Sequence, residues 1–249
     1  MNAMNKPSED DNGAQRAAGC CGGPAPQGPG YATEDANSVP AGANMGLGWG
    51  NPQAIANFKC GETVRDLGSG GGSDGFFAAR QVGDTGRVIG VDMTPEMLAK
   101  TRDNAQKGGY LNVEFCPGEI DNLPLPNVTV DVIIANCVIN LSPDKPAAFV
   151  EAFCVLSAGG RPAVSDVVAF AALPADLQRD MALYTDCMAG ASVLAEVQAM
   201  LRAAGFEQVG VVPKDKSKLF IRDWAPGTPI TDYVMSANIQ AIKPANPPA

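Results

Sequence analysis

Short apolar runs alternate with longer segments of helical periodicity over the middle of the chain, and this alternation constrains the fold more than any other feature. Strands that alternate with helices build βαβ units, in which the strands run parallel and helices cover both faces of the sheet. The pattern therefore predicts an α/β fold with a mostly parallel sheet. Five runs predict its strands: Glu62–Leu67, Arg87–Asp92, Val113–Cys116, Val130–Asn136 and Ala163–Val168.

The sequence after these runs predicts elements that complete the sheet. Leu173–Gly190 has the periodicity of a helix, and a stripe over residues 194–204 predicts another. Phe206–Val212 and Tyr233–Ile242 predict two closing strands, which brings the total to seven. The pair Gly159-Gly160 is expected to end the helix that precedes the fifth strand.

Composition excludes several classes of function. Histidine is absent from the 249 residues, which excludes mechanisms that need a histidine base or a histidine-bound metal. The net charge of −9 disfavours nucleic acid and anionic membranes as partners. No apolar run approaches the length of a membrane span, and the first residues lack the apolar core of a signal peptide, so a cytoplasmic location is expected. The seven cysteines are then expected to be reduced thiols.

A glycine run follows the first predicted strand, which ends in an acid, Asp66. Glycines at alternate positions from 68 to 72 let a ligand approach the backbone where the next helix begins. The run also fits the G-x-G-x-x-G pattern, which leaves a NAD-dependent enzyme as an alternative. A dinucleotide loop has its first glycine where Asp66 stands, however, and an acid there repels a pyrophosphate and suits an ammonium group. Asp92 ends the second strand, where it is placed to accept hydrogen bonds from ribose hydroxyls.

Cys137 directly follows the fourth predicted strand. Ligands of open α/β sheets bind outside the carboxyl ends of the strands, near the point where the strand order reverses. Because the fourth strand would neighbour the first, this thiol is expected to face a ligand bound at the glycine run. The pattern alone does not position Cys187, and Cys60, Cys116 and Cys154 stand at positions typical of structural cysteines.

Several motifs resemble the arsenite methyltransferases, in the same order and at the same spacing. They are GANMGLGWGNP, DLGSGGGSD, VIGVDMTPEML, NVEF-x-x-GEI-x-x-LP, NCVINLSPDK and CMAGA, and the resemblance covers about residues 31–244. It implies a Rossmann-like class I methyltransferase fold with S-adenosylmethionine as the cofactor. Residues 1–30, rich in glycine, proline and charge, are expected to be a flexible tail, and residues 31–249 a single domain. Within it, about 60–168 would bind the cofactor, and about 169–244 would bind the arsenical and close the sheet.

The resemblance also implies the residues of the site. Cys137 and Cys187 would be the catalytic pair and would hold trivalent arsenic, a soft acceptor that suits thiolate ligands. The arsenic lone pair would attack the methyl group without any proton transfer, and a thiol reductant such as glutathione or a thioredoxin-like protein would be a partner. The cofactor-binding residues would be Asp66, Gly68, Ser69, Gly70, Gly72, Asp92, Met93, Glu119, Ile120 and Asn136.

The chain departs from the family pattern at Trp49, where the family has a cysteine. We hypothesise that the loss of this thiol shifts the preferred substrate from arsenite to methylarsenite, unless Cys20 or Cys21 replaces it. A charge at Arg65 inside a strand and the missing N–H of Pro162 are costly, and they predict a variant of reduced stability or activity. Two further alternatives stay open: a methyltransferase for another small metabolite, and a non-catalytic protein that binds arsenicals.

Overall fold

The computed structural model describes residues 39–245, apart from positions 41, 47, 49 and 125. The expected N-terminal tail, with Cys20 and Cys21, lies outside the described residues, and so does Trp49. The strands are β1 Thr63–Leu67, β2 Arg87–Asp92, β3 Val113–Pro117, β4 Val130–Asn136, β5 Leu156–Ala169, β6 Glu207–Pro213 and β7 Val234–Ile242. The helices are α1 Gln53–Ala56, α2 Ser73–Val82, α3 Pro95–Gly108, α4 Lys145–Val155, α5 Ala175–Gln178, α6 Met181–Thr185, α7 Leu194–Ala203 and α8 Ser217–Trp224, with 3₁₀ turns at Ile139–Leu141 and Ile230–Asp232.

The strands form one sheet in the order β3-β2-β1-β4-β5-β7-β6. β7 is antiparallel to both of its neighbours, and the remaining pairs are parallel. β1 lies beside β4, so the strand order reverses between these two strands and leaves a crevice outside their carboxyl ends. The expected α/β fold with a mostly parallel, seven-stranded sheet is therefore confirmed.

Helices cover both faces of the sheet because the central strands are apolar on both sides. In β4, Val132 and Ile134 pack with α2 on one face, while Ile133 and Ala135 pack with α4 and α7 on the other. Successive side chains of a strand point to opposite faces, so a strand covered on both sides has a nearly continuous apolar run. The sequence VDVIIAN has this character, and it explains why the strand was recognisable.

The prediction of one helix over Leu173–Gly190 is wrong. The chain there forms two short helices, α5 and α6, and leaves the helical conformation after Asp186. Asp180 separates the two helices, because its carboxylate accepts hydrogen bonds from the N–H groups of Ala182 and Leu183 and so caps the start of α6. The capping side chain of Asp180 therefore interrupts the single helix that the apolar periodicity of this segment predicts.

Two further elements differ from expectation. α4 ends at Val155 and β5 begins at Leu156, so Gly159-Gly160 lies within the strand instead of ending the helix. The pairing between β4 and β5 is irregular there, since Leu156 pairs with Val130 and Arg161 with Val132. The helix α8 was not predicted.

Arg65 is fully buried in β1, as the strand prediction implied. Its two terminal nitrogens lie 3.8 and 3.7 Å from the sulfur of Cys116, and within the described residues its Nε has no hydrogen-bond partner. Burial lowers the pKa of this guanidinium, while the neighbouring Cys116 and Asp66 oppose the shift. The sheet therefore holds a charge that its surroundings compensate only in part.

Pro162 lies in an interior strand, between β4 and β7. The register with β7 begins at the next residue, Ala163, which pairs with Gln240. Pro162 itself pairs with Ile133 of β4, so its missing N–H lies inside an interior strand, at the last residue before the register with β7 begins. Within the residues that the structure describes, no helix is both long and apolar enough to cross a bilayer.

Candidate active site

A cavity of about 450 Å³ lies at the carboxyl ends of β1, β2 and β4, in the crevice where the strand order reverses. Its floor is the glycine loop between β1 and α2, and its sides come from the segments that follow β2, β3 and β4. A volume of this size accommodates a ligand as large as a nucleoside with a short side chain.

Side chains of α3 hold the glycine loop in place. The hydroxyl of Thr101 donates to the carbonyl oxygen of Gly70, and Asn104 donates to that of Gly71 at 3.0 Å. Thr101 and Asn104 are both buried. Gly68 has a φ of 65°, and a Cβ atom there would collide with Val138, so this position requires glycine.

Asp92 connects the end of β2 to the glycine loop. One carboxylate oxygen accepts a hydrogen bond from the N–H of Gly70, and the other accepts one from the N–H of Thr94, both at 2.9 Å. Each carboxylate oxygen has a second lone pair, and Asp92 lines the cavity. The side chain is therefore oriented by the backbone and can still accept hydrogen bonds from a diol in the cavity.

Two further acids give this region a negative potential. Asp66 is buried behind the glycine loop, and Asp74 lines the cavity from the first turn of α2. Burial raises the pKa of Asp66 well above its ordinary value of 3.8, and the nearby Asp74 and Asp92 raise it further. A cationic ligand in the cavity would relieve this repulsion and favour the carboxylate form.

Most of the expected cofactor-binding residues line this cavity. Asp66 and Gly72 do not belong to its wall. Gly72 instead caps the start of α2 with a φ of 90°, where a Cβ atom would collide with Phe76 and Thr101. The expected residues in the wall are Gly68, Ser69, Gly70, Asp92, Met93, Glu119, Ile120 and Asn136.

Sequence reasoning missed Asp74, although it ends the motif DLGSGGGSD. Its side chain accepts a hydrogen bond from the amide of Asn136 at 3.1 Å, and its carbonyl oxygen accepts one from Gln53 at 2.7 Å. It also missed four residues of the segment before α1 that form part of the cavity wall: Ala43, Asn44, Met45 and Gly48. The signal for that segment was the motif GANMGLGWGNP.

The segment before α1 packs closely over the glycine loop. A Cβ atom on Gly71 would collide with the carbonyl oxygen of Ala43, and one on Gly48 with the side chain of Asn136. Asn136 also donates to the carbonyl oxygen of Gly50 at 2.9 Å. This segment therefore covers one side of the cavity and limits the access of water.

Cys137 and Cys187 come together beside the cavity, although 50 residues separate them in the chain. Their sulfur atoms are 2.6 Å apart, and both residues are buried, at 7% and 0% exposure. The thiol of Cys187 also donates to the carbonyl oxygen of Cys137 at 3.0 Å. Cys137 belongs to the cavity wall, whereas Cys187 does not.

Both cysteines have left-handed backbone conformations, with φ values of 59° and 62°. A non-glycine residue held in such a conformation costs about 1–3 kcal/mol, and such residues cluster at functional sites. A mostly apolar cluster surrounds the pair, with Leu183, Met188 and Ile221 fully or almost fully buried in it. The fold thus keeps two strained cysteines close together in a dry environment.

The other described cysteines stand apart from this pair. Cys60 is exposed before β1, Cys154 is half-buried on α4, and Cys116 lies on the edge strand β3 beside Arg65. No group of three or more cysteine, aspartate or glutamate side chains within the described part of the chain is arranged to hold a metal ion.

The cavity fits S-adenosylmethionine, which carries a positive sulfonium, an ammonium group, a ribose and an adenine. The acids Asp66, Asp74 and Asp92 suit its positive charge, and Asp92 suits the ribose hydroxyls. One buried oxygen of the cavity wall, Ser69 Oγ, has no hydrogen-bond partner among the described residues. A polar ligand would supply such a partner.

The chain is similar to known methyltransferases. The family model described as a methyltransferase domain matches residues 58–205. An arsenite methyltransferase from Halobacterium salinarum is 51% identical over 216 residues, which cover 87% of this chain and 55% of that protein. Another from Aquipseudomonas alcaligenes is 39% identical over 189 residues, which cover 69% of this chain and 55% of that protein.

The chain thus spans about half the length of these two relatives. Among solved structures, an arsenic(III) S-adenosylmethionine methyltransferase from Chlamydomonas reinhardtii superimposes with a TM-score of 0.60 and 30% identity. That match covers 86% of this chain and 70% of the other. The chain therefore belongs to the methyltransferase domain family and, within it, to the arsenite methyltransferases.

Proposed function

We propose that this protein transfers a methyl group from S-adenosylmethionine to trivalent arsenic that Cys137 and Cys187 hold. The observation that carries the proposal is the 2.6 Å separation of the two sulfur atoms beside the cavity. Thiolates are soft ligands and trivalent arsenic is a soft acceptor, so two adjacent thiols suit this substrate better than oxygen or nitrogen ligands would.

The chain's own residues would bind the cofactor in a fixed orientation. When bound, S-adenosylmethionine supplies an electrophilic methyl group on a sulfonium. Asp92 would accept hydrogen bonds from the ribose hydroxyls, and Glu119 and Ile120, which both belong to the cavity wall, would flank the adenine. Asp66 and Asp74 would favour the cationic methionine end by their charge. Gly68 and Gly70 would let this end approach the backbone.

The cysteine pair would hold arsenic so that its lone pair points at the cavity. In the transfer, a carbon–arsenic bond forms, the carbon–sulfur bond of the sulfonium breaks, and arsenic passes from the trivalent to the pentavalent state. No proton moves in this step, which explains how a chain without histidine can carry it out. Catalysis would come from proximity, orientation and the exclusion of water by the apolar cluster around Cys187.

The product of each transfer needs two electrons before another transfer can follow. We propose that a thiol reductant, such as glutathione or a thioredoxin-like protein, supplies them from the cytoplasm, where thiols stay reduced. The proposed role of the reaction is detoxification of arsenic.

The experiment that tests this function is mass spectrometry of the products after incubation with an arsenical, glutathione and S-adenosylmethionine. Cys137→Ser and Cys187→Ser should each lower methylation by about 100-fold or more, because loss of either ligand misplaces the arsenic. Cys60→Ser, at an exposed site, is the matched control and should keep full activity. Methylation of arsenic by Cys137→Ser at the wild-type rate would contradict the proposal.

The same assay separates the alternatives. A non-catalytic binding protein would retain arsenic without producing methylated species, and a methyltransferase for another metabolite would not need the cysteine pair.

Running the same assay with arsenite and with methylarsenite tests the hypothesis about Trp49. We expect faster turnover of methylarsenite, and equal turnover of both would reject that hypothesis.

A further inference from the structure

The close approach of the two cysteines depends on loops that have no regular secondary structure. Cys137 begins the turn between β4 and the 3₁₀ turn Ile139–Leu141, and Cys187 begins the turn after α6. Both have a positive φ, which non-glycine residues rarely adopt unless their surroundings impose it. Something outside the two residues must therefore fix their conformations.

Asp166 on β5 organises the first of these loops. It is 1% exposed, and one of its oxygens accepts a hydrogen bond from the N–H of Ile139 at 2.9 Å. The other oxygen accepts hydrogen bonds from the side chain of Asn140 at 3.0 Å and from the N–H of Val167 at 2.7 Å. Asn140 also donates to the carbonyl oxygen of Val167 at 2.7 Å. The residues just after Cys137 are thus tied to the end of β5.

The second loop is tied to α4 and to the 3₁₀ turn of the first loop. Lys145, at the start of α4, donates to the carbonyl oxygen of Gly190 and to the hydroxyl of Ser192, the latter at 3.0 Å. The hydroxyl of Tyr184 in α6 donates to the carbonyl oxygen of Leu141 at 3.0 Å. These bonds lie on both sides of Cys187 in the sequence.

The backbone of the two loops is in direct contact as well. A Cβ atom on Gly190 would collide with the carbonyl oxygen of Asn140. Glycine at position 190 therefore lets the second loop approach the first closely enough for the sulfur atoms to meet.

We infer that Asn140, Lys145, Asp166 and Tyr184 form a brace that positions Cys137 and Cys187 to share one arsenic atom. None of the four is a catalytic residue, since the brace acts on the cysteines through the two loops. The inference rests on the proposed function and adds to it the residues that determine affinity for arsenicals that take two thiols. The brace should therefore affect ligands that bind both thiols. It should not affect reagents that react with one thiol, because these do not need the second sulfur nearby.

The test compares a probe that needs both thiols with one that needs a single thiol. Phenylarsine oxide takes two thiolates, and its binding is measured by equilibrium dialysis with elemental mass spectrometry. The reduced full-length protein used for it carries Cys20→Ser and Cys21→Ser, which remove a second pair of adjacent thiols. Asp166→Asn keeps the shape of the side chain but replaces one acceptor oxygen with a donor, and it should weaken this binding by about tenfold or more. Alkylation of Cys137 by iodoacetamide and binding of S-adenosylmethionine should each stay within about twofold, because neither needs the second sulfur.

Tyr184→Phe provides a second variant that removes a single hydroxyl. It should weaken phenylarsine oxide binding by about threefold to tenfold. Its matched control is Tyr233→Phe, which lies in the same apolar cluster and whose hydroxyl makes no hydrogen bond within the described part of the chain. The control should bind like the wild type. If Asp166→Asn does not fold, Tyr184→Phe and its control decide the question.

The outcomes separate the two levels of the hypothesis. Wild-type protein that neither binds phenylarsine oxide nor methylates arsenic would overturn the proposed function, and the brace with it. Active wild-type protein whose Asp166→Asn and Tyr184→Phe variants bind phenylarsine oxide unchanged would overturn the brace alone. An equal loss of phenylarsine oxide binding, alkylation and S-adenosylmethionine binding would also overturn it, because that pattern indicates general destabilisation.

Discussion

At the scale of single residues, the buried charge of Arg65 is the least expected feature of the core. The side chain is fully buried in β1. Among the described residues, its two terminal nitrogens contact the weak acceptor Cys116 and its Nε has no partner. Taking a guanidinium out of water costs several kcal/mol, and a thiol compensates little of that cost. The buried guanidinium of Arg65 therefore lowers the stability of the sheet.

Replacement of Arg65 by an apolar side chain of similar length should stabilise the protein. We expect Arg65→Met to raise the free energy of unfolding by about 1–3 kcal/mol, since it removes a poorly paired buried charge. Denaturant titration at neutral pH measures the change. Arg87→Met, at an ion pair with Glu114 whose side chains are both 56% exposed, is the control and should change stability by less than about 0.5 kcal/mol. A destabilised Arg65→Met variant would show that the contacts of the guanidinium are net favourable.

At the scale of secondary structure elements, Arg161 fastens the chain before β1 to β5. Its guanidinium donates to both carboxylate oxygens of Glu62 at 2.8 and 2.9 Å, and to the carbonyl oxygens of Ala56 and Asn57. The charged atoms are largely shielded, with side-chain exposures of 17% and 12%. Burial by itself raises the pKa of Glu62, but the hydrogen bonds and charges of Arg161 and Lys59 outweigh it, so the pKa is lowered.

This arrangement predicts a pH-dependent loss of stability in Arg161→Ala. At pH 7 the variant should lose about 2–3 kcal/mol, because several charge-assisted hydrogen bonds disappear together. A carboxylate with a lowered pKa stabilises the fold above its ordinary pKa of 4.5, and this contribution is lost as the pH falls through the folded-state value. The difference between wild type and variant should therefore shrink in denaturant titrations repeated towards acidic pH.

The exposed pair of Lys107 and Asp103 provides the control for this prediction. Lys107→Ala removes an ion pair on the surface of α3 and should cost less than about 0.5 kcal/mol at any pH. A difference between wild type and Arg161→Ala that did not change with pH would show that packing of the arginine, and not its pairing with Glu62, stabilises this end of the sheet.

At the scale of the whole molecule, cofactor binding and fold stability should be linked. Asp74 and Asp92 line the cavity, and Asp66 is buried behind the glycine loop. Burial raises the pKa of Asp66 well above its ordinary value, and repulsion by the other two acids raises it further. A cation that binds only the folded state relieves this repulsion and shifts the unfolding equilibrium.

S-adenosylmethionine at 100 times its dissociation constant should therefore stabilise the protein by about 2.7 kcal/mol. For a chain of this size this corresponds to a rise in melting temperature of about 5–10 °C. Asp92→Asn should reduce the rise, because one oxygen that accepts hydrogen bonds at the cavity is lost. Asp84→Asn, in the exposed loop between α2 and β2, is the control and should keep the full rise. Thermal melts with and without S-adenosylmethionine measure the rise in each variant. Equal rises in the two variants would contradict this role of Asp92.

Much of the fold was predictable because its signals are local. The runs that became β1, β2 and β4 have the apolar character of strands covered on both sides, and Thr94-Pro95 marks the start of α3. Where a side chain overrides the local pattern, as Asp180 does between α5 and α6, the prediction was wrong. The placement of Asp66 behind the glycine loop, outside the cavity wall, could not be read from its position at a strand end.

Local sequence patterns suffice to predict the alternation of strands and helices, and with it the edge of the sheet at which Asp92 and Cys137 lie. Periodicity and strand order carry that information, because they follow from backbone geometry and from burial on one or both faces. No local pattern places Cys187 beside Cys137: the family resemblance implies this pair, and the fold brings the two sulfur atoms together. The contact depends on hydrogen bonds that Asp166 accepts and that Lys145 and Tyr184 donate. The partners of these bonds are distant in sequence, so they leave no periodic pattern in the chain.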